Sequence, residues 1–329
     1  DTVFEYIACN DNSDNSINGM AICAIYVKGN TGKLVNDLTI TNNTIIGGYE
    51  GIYVNAGVNS TYGDNVRVDS NFLMNQYQKG IDILNTNMSS VSNNRVIREQ
   101  LPTATTNAWN GIYFSNVDVM KEISSNRIYF DDIRTGITRI LFLSGLNKTK
   151  NPVPVINNEI ISVFSDSRNS VGSGIYVTGG NQEIINNSVY IKGNADKNYG
   201  LELAAAATVV AKNNNIVVES NKNTSCAIYL GNGLTSIYSG EYNNLYQHDF
   251  FGGAAYIGSD SISTGYYANI YVNKESSVKT YPELEKLLNK ILKNIITLGT
   301  KNGFFKMISY NVNLNYESGA HYYSIDFRY

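Results

Sequence analysis

Charge is scarce in this chain: Asp, Glu, Lys and Arg make up 16% of 329 residues, and the formal net charge is -3. With no basic stripe or Lys/Arg block to neutralise phosphates, nothing favours a nucleic-acid partner. Cysteine is scarcer still. Cys9, Cys23 and Cys226 are too few and too scattered for a disulfide framework or a zinc site. Cys9 could pair with Cys23 in neighbouring N-terminal turns, but buried free thiols are the preferred reading. Long apolar runs are missing too, with no stretch of about 18 residues or more, so no membrane span is predicted. The chain opens at Asp1 without Met or a charged-then-apolar leader, which reads as a mature or excised piece. What it does have is 43% hydrophobic residues, enough for a large core, and a solenoid can reach this length without splitting into domains.

Eight times an asparagine pair, or Asn after Ser or Tyr, follows a short β-rich run, with an apolar residue two positions beyond the ladder Asn. The cores are Asn42-Asn43-Thr44-Ile45, Ser70-Asn71-Phe72-Leu73, Asn93-Asn94-Arg95-Val96, Ser125-Asn126-Arg127-Ile128, Asn157-Asn158-Glu159-Ile160, Asn186-Asn187-Ser188-Val189, Asn213-Asn214-Asn215-Ile216 and Tyr242-Asn243-Asn244-Leu245. Their spacings of 28, 23, 32, 32, 29, 27 and 29 residues are a solenoid period. A second signal keeps step: a small residue opening an alternating strand, as in Ala24-Ile25-Tyr26-Val27, Gly51-Ile52-Tyr53-Val54, Gly80-Ile81-Asp82-Ile83, Gly111-Ile112-Tyr113-Phe114, Gly136-Ile137-Thr138, Gly174-Ile175-Tyr176-Val177, Gly200-Leu201-Glu202-Leu203 and Ala227-Ile228-Tyr229-Leu230.

Two strand motifs per repeat leave no room for a helix, so each repeat is one turn of a coil built from strands. The expectation is an all-β, right-handed parallel β-helix of about eight or nine coils over 1–260. Asparagine suits its corners, because it tolerates the left-handed conformation and its side chain bonds nearby backbone. Coils stacked about 4.8 Å apart would let corner asparagines bond one another as a ladder. Before the corners, Leu38 and Ile40, Val66 and Val68, Val153 and Val155 should face inward, with Thr39, Thr41, Arg67 and Asp69 outward. Sequons at Asn42 and Asn186 fall at such a corner, where a glycan is expected to clash.

Beyond Tyr246 the repeat fades, and 261–329 is predicted to be a C-terminal capping segment with one amphipathic helix. Thr280 can cap it, Glu283 completes a capping box, and Pro282 fits its first turn. Leu284, Leu287, Leu288, Ile291, Leu292, Ile295 and Ile296 form its apolar face, and Gly299 its stop. An open solenoid end is a bare sheet edge that would recruit another chain, hence the cap, which strands near 304–308 and 312–314 should complete.

Over residues 20–246 the phased Asn and Gly-Ile-x-Val motifs resemble the pectin-lyase-like β-helix superfamily. The tail, with Tyr242-Asn243-Asn244-Leu245-Tyr246 and Ser324-Ile325-Asp326-Phe327-Arg328, looks like the closing segment of secreted β-helix proteins from Bacteroidetes-type bacteria, in a degenerate form. The likeness implies an extracellular or cell-surface setting. It fixes no activity, since the superfamily holds lyases, hydrolases, epimerases, adhesins and phage spikes. Polygalacturonase-like members would show an Asp trio with Gly-His-Gly, and here His248 and His321 are neither so flanked.

Catalytic residues are not expected. Asp131-Asp132 with Arg134 reads as a solvated turn, and the Arg95, Arg127, Glu159 column as a surface ion-pair column. The Asp11–Asn15 loop has oxygens for Ca²⁺ but reads better as solvated, so neither cofactor nor metal is predicted. Asp82 and Glu202 lie four turns apart, about 19 Å, too far for a glycosidase pair. The outward position of the Gly-Ile-x-Val strand, however, runs Tyr26, Tyr53, Asp82, Tyr113, Thr138, Tyr176, Glu202, Tyr229. Aromatic faces stack on sugar rings and the phenols and acids can bond sugar hydroxyls, so Tyr26, Tyr53, Tyr113, Tyr176, Glu202 and Tyr229 are the candidate glycan-binding residues. The competing reading is a stripe of good β-formers that merely packs. Insertions at 99–110 and 141–154 are expected to wall a groove beside it.

The expectation is therefore a non-catalytic extracellular surface, fibre or adhesin module whose partner is a polysaccharide or cell-surface glycan. A polysaccharide lyase or glycoside hydrolase using the same face, with Glu202, Asp82, Arg95 and Arg127 as its first residues, is the rival. A self-assembling filament subunit is the third reading.

Overall fold

In the computed structural model, the described residues are 2–5, then 23–248 apart from 31, 59–60, 100–107, 133–135, 147–151, 165–170, 194, 221–224, 231–236 and 242, and finally the strands 270–272, 309–317 and 320–328. They form an all-β parallel solenoid with no helix among them. About six turns are complete, fewer than the eight or nine expected. The reason is visible at the corner: Asn71, Asn94, Asn126, Asn158, Asn187 and Asn214 each have a ladder neighbour on both sides, whereas Asn43 and Asn243 have one. The helix expected after Thr280, the strand near 304–308, the Asp11–Asn15 loop and Cys9 lie outside the described residues.

Each turn contributes to a nine-stranded and a fifteen-stranded sheet. In the first, the registers align Ile45, Leu73, Val96, Ile128, Ile160, Val189 and Ile216 as one buried column. In the second, Ile52, Ile81, Ile112, Leu141, Ile175, Leu201 and Ile228 do the same. The third wall is Ile40, Val68, Val91, Ile123, Val155, Ile184 and Ala211. Period-two alternation thus turns one apolar face of every strand into a common core. Past the last turn, Ile270–Val272 extends the second sheet and pairs antiparallel with Ala320–Arg328, which in turn pairs with Ser309–Glu317.

The corner works by division of labour within each pair. The first member, Asn42, Ser70, Asn93, Ser125, Asn157, Asn186 or Asn213, takes the left-handed turn with φ between 53° and 58°. The second points its amide along the axis, each Nδ2 donating to the next Oδ1 at 2.7 to 3.1 Å. From Asn71 onward each Nδ2 also reaches a main-chain carbonyl of the preceding turn, as Asn126 does to Val91 at 2.9 Å. Every Oδ1 from Asn71 to Asn243 also takes a main-chain N–H, so the buried amides are fully used. The sequon residues Asn42 and Asn186 occupy the exposed first position, not the ladder, so the expected clash does not arise.

Glycine opens the second strand motif because the turns come close there. A Cβ on Gly80 would sit 2.6 Å from the Gly111 carbonyl oxygen and 2.5 Å from a Val96 methyl. Two sequence expectations about acids are corrected by the packing. Asp132 is no solvated turn: it bonds Arg98 Nε at 2.8 Å with both side chains fully buried, while Arg98 also donates to the Gln76 carbonyl at 2.7 Å. Such a pair is stable only because geometry and further hydrogen bonds offset the desolvation of two charges. Asp69, placed outward by alternation, is covered because Arg67, Ser90 and Ser92 close over its carboxylate.

Candidate functional site

The registers of the fifteen-stranded sheet bring Tyr26, Tyr53, Asp82, Tyr113, Phe142, Tyr176, Glu202 and Tyr229 into one outward column. Thr138 is not a member. It pairs with Trp109 and Gly172, four residues earlier along the strand, and is buried. The glycine slot of that turn is filled by Ile140, so Gly136 was a false anchor, and the strand Thr138–Leu146 supplies Phe142. Six of the eight rungs are therefore aromatic, as their register shows. The expected insertions shrink accordingly, since Leu141–Leu146 and Val153–Pro154 are strand, as are Trp109–Asn110.

Rung spacing organises the rings. Tyr26 and Tyr53 stack with centroids 4.8 Å apart and planes 7° from parallel, and Tyr26 is 58% exposed. Tyr113, Phe142 and Tyr176 meet edge to face, each pair 4.6 Å apart. Tyr229 stacks on Tyr199 at 4.3 Å. The two acids are the short members of a tall column. Asp82 is only 1% exposed because Tyr53 and Tyr113 stand on either side, and Glu202 lies in the same way between Tyr176 and Tyr229.

Three residues before this column runs a second one: Cys23, Glu50, Lys79, Asn110, Arg139, Ser173, Tyr199 and Cys226. It supplies the counter-groups. Lys79 Nζ lies 2.5 Å from Asp82 Oδ2, 3.6 Å from Glu50 Oε1 and 4.6 Å from the Tyr113 ring centre. One ammonium thus serves two carboxylates, and Asp82 Oδ1 is buried without a partner. Burial pushes the Asp82 carboxyl up to about 6, against the pull of Lys79 and with a further push from Glu50. The Cys23 thiol donates to Glu50 Oε2 at 3.4 Å, and burial, then Glu50, push it up to about 12, which keeps it protonated and unreactive. Ser173 Oγ donates to Glu202 Oε2, and burial raises that carboxyl as well. Arg139 lies over Tyr176, 3.7 Å from ring centre to guanidinium carbon, and 5.1 Å from that of Phe142.

On the other flank a second, shorter amide ladder runs beside the rings. Asn85 Nδ2 donates to Asn55 Oδ1 at 3.0 Å and Asn116 Nδ2 to Asn85 Oδ1 at 3.4 Å, while Asn55 donates to the Tyr53 hydroxyl. Asn85 and Asn116 are left-handed, with φ of 46° and 53°. The second column and this ladder were missed in the sequence, although both leave a trace. One is the residue just before each Gly-Ile, as in Glu50-Gly51 and Lys79-Gly80, and the other the Asn or Gly that closes Gly80–Asn85, Gly111–Asn116 and Gly174–Gly179.

Arg95 and Arg127 belong elsewhere. They sit on the nine-stranded sheet in the column Phe72, Arg95, Arg127, Glu159. There Arg127 Nε pairs with Glu159 at 3.2 Å in the open, and Arg95 lies over Phe72, so the surface reading of that column holds for Arg127 and Glu159. Among the described residues no group of three or more His, Cys, Asp or Glu could hold a metal ion. Comparison with protein-family models, curated proteins and solved structures finds no match to this chain.

Proposed function

We propose that the chain is a secreted or cell-surface carbohydrate-binding module of adhesin or fibre type, non-catalytic, with the aromatic column as its binding face. The observation that carries the reading is the register that puts six rings on one face, interleaved with two acids and flanked by amide and charged columns. Rings at a repeat of about 4.8 Å, packed on one another face to face or edge to face, leave a strip of ring edges and hydroxyls against which successive sugar units lie, and the flanking polar groups bond their hydroxyls. The same reading takes the solenoid as pectin-lyase-like and its tail as akin to secreted Bacteroidetes-type proteins, on the motifs that carry those resemblances, and it draws the extracellular setting from them.

The enzymatic alternative has less to stand on. Arg95 and Arg127 are on another sheet, and Asp82 and Glu202 remain four rungs apart. Titration calorimetry against a panel of neutral and acidic oligosaccharides tests the proposal. At least one should bind, and Tyr53→Ala with Tyr113→Ala should abolish it while the unfolding transition stays cooperative. Binding unaffected by both substitutions contradicts the assignment, and release of unsaturated or reducing ends from any bound glycan overturns the non-catalytic part.

A further inference from the structure

The two cations of the face are not alike. Lys79 is held between Asp82 and Glu50. Arg139, two rungs along the same column, has no carboxylate within ion-pair distance among the described residues. The rings of Tyr176 and Phe142 hold its guanidinium plane, and its Nε is buried with no hydrogen-bond partner. Glu202, the acid two rungs further along, is bonded by Ser173 and feels the charge of Arg139 only through space. The strand carrying the guanidinium is held on both sides by its parallel neighbours, and Asn110, on the rung before, donates to the Arg139 carbonyl at 3.1 Å when its amide is turned to place nitrogen there. A positioned guanidinium with no bonded counter-ion among the described residues, beside a column of rings, can receive an oxyanion, which its planar fork bonds in pairs.

Resting on the carbohydrate reading above, we infer that the face selects anionic glycans, with Arg139 pairing a carboxylate or sulfate borne by a sugar that stacks near Phe142 and Tyr176. Lys79 is no competitor for that group, because its ammonium is already shared by two acids. Arg139 acts on specificity, while the rings supply the platform.

The test uses the full chain and matched oligosaccharides of the gluco, galacto and manno series, each as the neutral form, the C6-carboxylated form and the sulfated form. In at least one series a charged member should bind roughly tenfold tighter than its neutral counterpart, with the preference shrinking at high salt. Arg139→Gln should bring the charged member down to the level of its neutral counterpart measured on the same variant, so that the preference collapses to about parity. Arg139→Met keeps an unbranched stem over the rings and serves the same purpose if the glutamine variant does not fold. The carboxylated and sulfated arms distinguish the two sources of the oxyanion. Equal affinity for neutral and charged members, or a preference that survives loss of the guanidinium, overturns the inference and spares the carbohydrate reading. No binding to any member overturns both.

Discussion

The asparagine corner and the aromatic face are built from the same repeat, yet they treat polar groups in opposite ways. At the corner one residue type recurs on every turn, and among the amides from Asn71 to Asn214 each Nδ2 and Oδ1 is satisfied twice over. On the face the residue type changes from rung to rung, and Asp82 Oδ1 and Arg139 Nε are buried without partners. Sameness along the axis is what a ladder needs to stabilise a solenoid. Variation along the axis, with groups left unsatisfied, is what a surface needs to recognise something else.

Four perturbations break or sharpen this contrast. The largest effect is expected from Asn126→Ala. It removes two donated bonds to Val91 and Asn158 and strands the two groups of Asn94 that used its oxygen. A loss of about 4 kcal/mol or more in urea unfolding should follow, since buried groups left unpaired cost more than the bonds alone. Gly80→Ala comes next, at about 2 kcal/mol, because its new methyl meets the Gly111 carbonyl at 2.6 Å, a backbone atom that cannot turn aside.

The third concerns pH. Burial raises Asp82 to about 6, so the folded chain binds this proton more tightly than the unfolded one does. Its contribution is fully present below the ordinary carboxylate value of about 4 and is lost as pH rises through about 6. Asp69 runs the other way. Burial would raise it, but bonds from Arg67, Ser92 and Ser90 outweigh that and hold it below the ordinary value, so its contribution is lost only as pH falls further. Between about pH 4 and pH 6 wild type should therefore gain, on acidification, on the order of 2 kcal/mol that Asp82→Asn does not. Unfolding midpoints of the two proteins across that window measure the difference. The smallest effect is expected at Arg127→Ala, where an exposed ion pair with Glu159 is lost and stability should not change measurably.

The corner was readable in the sequence because one chemical type marks it on every turn and its apolar neighbour keeps a fixed offset. The Ile and Val columns were readable for the same reason. Phe142 was not, because Ile140 replaces the glycine that anchors the motif elsewhere, and Ile137 and Leu141 share one phase, so alternation fits an outward Thr138 and an outward Phe142 equally well. The column from Glu50 to Tyr199 escaped because no residue type repeats in it, although its place before each glycine is constant. Arg98 and Asp132 escaped because they meet across 34 residues, next to stretches of sequence that carry no repeat signal.

The rung that decides the face is the fifth, and it can be read by cross-linking. With all three native cysteines replaced by serine, Tyr113→Cys paired with Phe142→Cys puts two thiols on directly opposed residues of adjacent parallel strands. Their expected separation of about 4.8 Å lies within the Cα range a disulfide spans. Air oxidation should link this pair quantitatively in the folded chain and leave Tyr113→Cys with Thr138→Cys reduced. A disulfide between positions 113 and 138, or none between 113 and 142, would contradict the register from which the aromatic face and the place of Arg139 beside it are both derived.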